Sequence, residues 1–312
     1  MKVNNGFAKK IEIMERIKLA FLTLFIVSCV NISAQKPIKV TEDSLVFGKS
    51  KIPGFVVTIP EVEFDRTHRN WIKRLQRGTK SKVTEEFNQM SIFGSNIKDI
   101  SSDPINVYSI LENRDTMMLL RAAFEIRKDQ YVQSDMGGGT QSKAMMFLKQ
   151  FAKEQYIALV EDQVSAENKT LRDLNGELRS LQNEKSRLEK SIISNNKQIT
   201  EEKDDILIWN NEVTQLSPRI MTAHDSLSLM QEGDPKDKKS SYVRDLEKRK
   251  KKLLNSIENS EKRVARANSD IDQAKLAIPK NENEQSAYMD KISKQEVVLQ
   301  SFKEKLKRVQ SY

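Results

Sequence analysis

Two repeating patterns of apolar residues divide the chain. From about Lys39 to Val132 the runs are short and strand-like. The segment "GFVVTIP" (Gly54 to Pro60) is apolar and β-branched and is bounded by prolines, the composition of a buried strand. Trp71, Ile72 and Leu75 fall on one face of a helix predicted over about Arg66 to Gln76. "KVTEEFNQMSIF" opens with Val83, Glu85 and Phe87 alternating against polar residues. "INVYSILEN" and "TMMLLRAAFEI" flank Arg114-Asp115, a candidate tight hairpin turn. About 100 residues of this kind support one modest core. The expected product is a small antiparallel sheet backed by the Trp71 helix and the start of the next one.

After Gly139 the period becomes seven. Val164, Leu171, Leu178, Lys185, Ile192, Ile199, Ile206, Val213 and Ile220 are apolar in eight of nine positions, and a companion series three residues on (Glu167, Leu174, Leu181, Leu188, Asn195, Glu202, Trp209, Leu216) in five of eight. A second array runs Val243, Lys250, Ile257, Val264, Ile271, Ile278, Gln285, Ile292, Leu299 and Leu306. Its companions include Leu246, Leu253, Ala267, Ala274, Tyr288, Phe302 and Val309. A sustained seven-residue repeat keeps one seam facing a partner helix. Gly233, Asp234 and Pro235 between the arrays give a turn signal.

The fold class predicted is therefore an α+β head followed by a long antiparallel coiled-coil hairpin. Its parts are a signal peptide (1–34), a head (35–139), a first arm (140–222), a tip (223–241) and a second arm (242–312). Phe302, Leu306 and Val309 are expected beside the base of the first arm and against the head. Pro218 and Pro279 are expected to kink or split their helices. Lys185, Asn195 and Gln285 on the seams weaken the core and fix register.

Composition agrees with long exposed helices: 38% of residues are hydrophobic and 31% charged, too polar for one large globule. The N-terminal "KKIEIMERIKLAFLTLFIVSCVNISAQ" carries basic residues and then an apolar run from Leu19 to about Val30. It reads as an export signal, too short for a membrane span, with Met1 or Met14 as the start. Cleavage after Ala34 leaves Gln35 first. In the other reading "IVSC" is a lipobox and Cys29, the chain's single cysteine, is lipidated. Cleavage after Ala34 excludes disulfides and thiol chemistry from the mature protein, which then carries about +6 of the formal +9. The expected location is the periplasm or the outer membrane.

"DMGGGTQSK" at the start of the first arm invites comparison with a phosphate-binding loop. Such a loop needs Gly-x-x-x-x-Gly-Lys-[Ser/Thr]. Counting from Gly137, Ser142 stands at the second glycine and Ala144 at the hydroxyl position, so only Gly137 and Lys143 fit. The glycines read instead as a joint between head and arm, with Thr140 or Ser142 capping the helix. Met145, Leu148, Ala152 and Leu159 are expected to pack the base of that helix on the sheet.

No catalytic, cofactor or metal site is predicted: His68 and His224 lie far apart in sequence, and a His metal site needs converging ligands. The strongest charge feature is "YVRDLEKRKKKLLNS". Arg244, Lys248, Arg249, Lys250, Lys251 and Lys252 are candidates for an anionic partner, within a second arm of 20 cations and 12 anions against 11 and 13 on the first. A solvated face partly paired with the acidic first arm is the plainer reading of the same residues. Nucleic acid is not expected, because the aromatic interleaving of a single-strand binder is absent.

"IPGFVVTIPE", "WIKRL", "DPINVYS" and "FLKQFAKEQY", followed directly by a coiled coil, resemble a family of uncharacterised exported Bacteroidota proteins with a small head and a coiled-coil tail. Members are sometimes labelled DNA repair ATPases, and the family brings no catalytic residues to carry over. The function expected is a non-enzymatic envelope spacer, scaffold or adaptor with a protein partner or self-association, or an anionic envelope surface, and no nucleotide. The alternatives are a periplasmic holdase-type chaperone or ligand-binding module and, more remotely, a coiled-coil ATPase.

Overall fold

The computed structural model describes residues 38–134 and 139–312. The export signal, Cys29 and most of the glycine joint lie outside them. The chain divides into two compact units, one holding the residues up to Gln163 together with Lys303–Tyr312, the other Val164–Phe302.

The first unit is the head. Its strands are β1 (Val40–Phe47), β2 (Ser50–Pro60), β3 (Thr84–Glu86), β4 (Gln89–Ser95), β5 (Ile105–Arg114), β6 (Met117–Arg127) and β7 (Gln130–Tyr131), with helix α1 (Phe64–Leu75) between β2 and β3. The sheet is antiparallel throughout, in the order β1-β2-β6-β5-β4-β3, with β7 on the end of β6. The β5–β6 hairpin closes at Arg114↔Met117, leaving Asp115 and Thr116 as a two-residue turn, one position beyond the predicted one. "KVTEEFNQMSIF" is not one strand. It turns back at Phe87 and Asn88, both with positive φ (47° and 66°), and pairs with itself. Gly54 lets β2 lie against β6, since a Cβ there would stand 2.6 Å from the carbonyl oxygen of Ala122.

One face of the sheet carries Phe55, Val57, Ile59, Val107, Leu111, Leu120 and Phe124, all buried. Against it pack Trp71 and Leu75 of α1 and the first turns of helix α2 (Thr140–Ser228). Leu148 and Ala152 are fully buried there, as predicted, with Met145 and Leu159 partly so. Phe147, Phe151, Tyr156 and Val160 join them. Val309 is also fully buried in this core, and Leu306 and Tyr312 pack on it. The Lys153 ammonium donates to the carbonyl of Gln310 (2.7 Å). Polar atoms inside are paired: the Trp71 indole N–H donates to Ser109 Oγ (2.9 Å), and Ser95 Oγ donates to the Leu75 carbonyl at the end of α1 (2.7 Å). The first intrahelical bond of α2 runs from the Lys143 N–H to the Gly139 carbonyl (3.1 Å). Glycine, at φ 73°, therefore holds the cap position assigned above to Thr140 or Ser142.

The second unit is a pair of antiparallel helices, the remainder of α2 and most of α3 (Asp234–Gln310). Partners run in opposite senses at constant register: Glu167–Gln295, Glu184–Asn281, Glu202–Arg263 and Arg219–Tyr242. Every residue of the four heptad series that lies in this unit is buried or half-buried. The companion positions left open in the second series hold Ser260, Asn281 and Gln295, which face inward and are hydrogen-bonded. Each arm is roughly 95–105 Å long at 1.5 Å per residue.

Three expectations change here. Pro218 and Pro279 lie inside uninterrupted helices. Cross-helix pairs flank each proline, Glu212–Arg249 and Arg219–Tyr242 about Pro218 and Lys185–Glu282 and Glu202–Arg263 about Pro279, and support the backbone where a single ladder bond is lost. The tip is shorter than 223–241, since α2 continues to Ser228 and α3 begins at Asp234. Gly233, at φ 141°, makes the turn, and its carbonyl receives the Lys236 and Asp237 N–H groups that open α3. Lys185 spans the seam to Glu282 (2.7 Å), so that polar position is an ion pair between the helices.

Candidate functional site

The six cations singled out in the sequence are distributed by the helix rather than gathered by it. Val243, Leu246, Lys250 and Leu253 face the seam, and Lys250 is half-buried among them. Arg249 points across to α2 and pairs with Glu212. Arg244, Lys248, Lys251 and Lys252 remain on the outward face and are all exposed. They form a stripe about 12 Å long at helical rise. Asp245 stands beside Arg244 on that face and reduces its net charge. Arg244 also reaches back to the Ser240 carbonyl (3.4 Å). A third of the cationic run is thus absorbed by the coil, and four positions are available to an anion. Near the tip, Lys239 lies over the Tyr242 ring at 5.6 Å.

The histidines stay apart. His68 of α1 pairs with Glu85, and His224 of α2 with Glu247 of α3 (2.8 Å). Among the described residues no three His, Cys, Asp or Glu side chains are grouped to hold a metal.

The head holds a polar cluster that sequence spacing does not reveal. The second face of the sheet is partly enclosed, because the β1–β2 hairpin curls over it. Gln89 of β4 accepts the Gly48 N–H (2.9 Å) and donates to the Val46 carbonyl (3.3 Å). Under this flap lie Leu45, Ile52 and Ala123, bordered by Phe47, Tyr108, Ile110 and Tyr131. Phe47 and Phe93 both meet Tyr108 edge-on, at 5.0 and 6.1 Å. Beside them Glu125 is buried and receives three hydrogen bonds, from Asn106 Nδ2 (2.8 Å), the Tyr108 hydroxyl (3.0 Å) and the Asp129 N–H (2.9 Å).

Burial works against the charge on Glu125, but the donors from Asn106, Asp129 and Tyr108 together hold its carboxyl below the usual range. Burial, reinforced by the hydrogen bond to that carboxylate, pushes the Tyr108 hydroxyl up to about 12. Neighbouring charges are also organised: Arg121 joins Asp43 and Glu112, and Arg114 also holds Glu112 (2.8 Å). Held by three donors beside a phenol that stays protonated, this carboxylate serves as a structural anion. It fixes the turn at Asp129, which has φ 59°. Next to this turn is an open recess of about 490 Å³ lined by Lys51, Ile52, Pro53, Asp129, Gln130, Tyr131 and Gln133.

Comparison with known proteins adds no identification. No family model matches the chain, and no curated protein matches it. Among solved structures it is similar to an Smc head domain with a coiled coil and joint derived from Pyrococcus yayanosii, at 14% identity over 72% of this chain. The chain spans about half (53%) of that structure's length, and the TM-score of 0.19 carries no argument about fold or activity. No helix among the described residues is long and apolar enough to cross a membrane.

Proposed function

We propose that this chain is a non-enzymatic, exported cell-envelope protein, a coiled-coil scaffold or adaptor whose hairpin separates or joins partners. The observation that carries the reading is the seam. Its apolar positions are buried or half-buried throughout the second unit, and Lys185, Asn281 and Gln295 on it are paired across the helices. A helix pair saturated in this way suits spacing and docking. The outward stripe of Arg244, Lys248, Lys251 and Lys252 suits an anionic envelope surface.

Fractionation of the native host with N-terminal sequencing tests the export half of the proposal. The expected product begins at Gln35 and is recovered outside the cytoplasm. An unprocessed chain in the cytosol overturns it. Co-sedimentation with vesicles of phosphatidylglycerol tests the stripe, with neutralisation weakening binding by about fivefold per cation.

A further inference from the structure

The seam of α2 does not account for all its large apolar residues. Ile193, Leu207 and Met221 are 70%, 61% and 68% exposed. Each directly follows a seam residue (Ile192, Ile206, Ile220), so the three share one lateral face, two heptads apart. Thr200 and Thr214 fill the intervening positions and turn their hydroxyls back onto helix carbonyls, those of Asn196 (3.1 Å) and Asn210 (2.8 Å). The result is a row, Ile-Thr-Leu-Thr-Met, about 42 Å long at helical rise.

The period of the row identifies the kind of partner. Scattered exposed apolar residues need no explanation. Positions repeating every seven residues stay parallel to the coil instead of drifting around it. A helix lying along the hairpin can remain in contact with all of them.

The flanking charges identify which helix. Lys190 stands at one end of the row and Asp225 at the other, on the same side of it. If two copies of the row cross antiparallel at Leu207, Ile193 meets Met221 and Lys190 meets Asp225, and both contacts occur twice. Nearer the centre, Lys197 faces Ser217 and Pro218, and Lys203 and Asp204 face Asn210 and Asn211, so no like charges meet. A parallel two-fold pairing exchanges the two sides of the row, so Lys190 lies across from Glu189 rather than from Asp225. The antiparallel pairing is the one that joins the row's two end charges, Lys190 and Asp225, to each other.

We propose that this row is the interface for a second copy of the chain, joining two hairpins antiparallel through a two-fold axis at Leu207 into a four-helix bundle. Leu254 of α3 is a further apolar residue left 46% exposed. The inference builds on the scaffold reading and supplies its partner.

Sedimentation equilibrium of the mature chain tests it. The expected mass is that of a dimer at micromolar concentration. Leu207→Asp is expected to weaken the dimer at least 100-fold while the helical circular dichroism is unchanged. Lys190→Asp weakens it and adding Asp225→Lys restores it, a rescue that a variant acting through hairpin stability does not give.

Orientation is read by mixing Ile193→Cys and Met221→Cys chains in a Cys29→Ser background, where mixed disulfides are expected. A monomeric wild type, a dimer indifferent to Leu207→Asp, or homotypic Ile193 cross-links each overturns the proposal. A monomer whose row suppresses aggregation of an unfolded outer-membrane protein assigns the row to chaperone clients instead. Dimerisation fails independently of the scaffold reading, because an exported monomer leaves that reading intact.

Discussion

The head and the hairpin bury apolar surface in different ways. In the head, side chains from the sheet, from α1 and from both ends of the helical region converge on Trp71, which is fully buried and meets Phe147 and Phe151 at ring distances of 6.0 and 4.9 Å. In the hairpin each seam residue meets one facing helix, and most seam positions are only half-buried. A converging core concentrates its stability in a few large side chains. A seam distributes it over many small ones and tolerates a proline or an amide every few turns. The two tryptophans fall one to each unit, Trp71 in the head and Trp209 on the seam, so the contrast can be followed separately in each.

The largest expected effect is Trp71→Ala. It removes a fully buried indole and leaves Ser109 Oγ without its donor, costing about 3–5 kcal/mol. Hydrogen exchange should show the β5 and β6 amides losing protection while those of the Ser260 region keep theirs, and Trp209 fluorescence should be unchanged. Equal loss of protection in both units would abolish the distinction between them.

Pro279→Ala is expected to act in the opposite direction and on the other unit. An interior proline lacks one helical N–H and crowds the preceding turn, at a cost of about 3 kcal/mol. The alanine variant should gain up to about that amount in the thermal unfolding of the hairpin, read through Trp209. No gain would mean that the seam already repays the whole penalty.

The same contrast explains what could be read from the sequence. The hairpin was legible because a seam repeats one constraint: eight apolar positions in nine, spaced by seven, leave little else for the chain to do. Strands β5 and β6 were legible from two apolar runs around a polar pair. The turn at Phe87-Asn88 was not, because no glycine or proline marks it and both residues take a positive φ without one. The division of the six cations was implicit in the heptad, which sets Lys250 on the seam, but a run of like charge reads as one patch until the helix is wound. The Glu125 cluster was not legible at all. It depends on the register that sets Asn106 opposite Glu125 across β5 and β6, a non-local pairing that no spacing encodes. Buried Val309 was foreseen, because a hairpin of equal arms must return its end to its beginning.

Glu125→Gln probes that hidden cluster, with an expected loss of about 1–3 kcal/mol from the head. The amide retains one acceptor oxygen but turns an NH2 group toward donors. Acid and alkaline limits should both respond. Glu125, Asp43 and Glu112 all have lowered carboxyl pKa values in the fold. Their contribution is therefore present above the unfolded values near 4 and is lost as pH falls through the folded ones. Tyr108 has the opposite sign. Its protonated form is favoured in the fold, so its contribution is intact below pH 10 and disappears as pH rises from there to about 12. In the variant the acid limb should flatten and the Tyr108 ultraviolet titration should move down from about 12, since a neighbouring negative charge is gone while the burial remains. An unmoved Tyr108 titration would assign its shift to burial alone.

The smallest effect expected is the one that bears most directly on what a seam is for. Asn281 is 5% exposed, donates to Glu184 (3.0 Å) and accepts from Gln285 (2.7 Å). Leucine at that position would bury more apolar surface, and Asn281→Leu should leave hairpin stability within about 1 kcal/mol of wild type, on the stable side. The loss should be in uniqueness. Asn281 and the adjacent Lys185–Glu282 pair are satisfied at one alignment of the helices only, and a slip of one heptad separates both. Spin labels at Arg187 and Lys280, on opposite helices of this region, should give one narrow distance distribution in the wild type and a broadened or doubled one in the variant. A single narrow distance retained in Asn281→Leu would assign the register to the apolar positions alone, and a seam would then need its polar residues no more than the head core does.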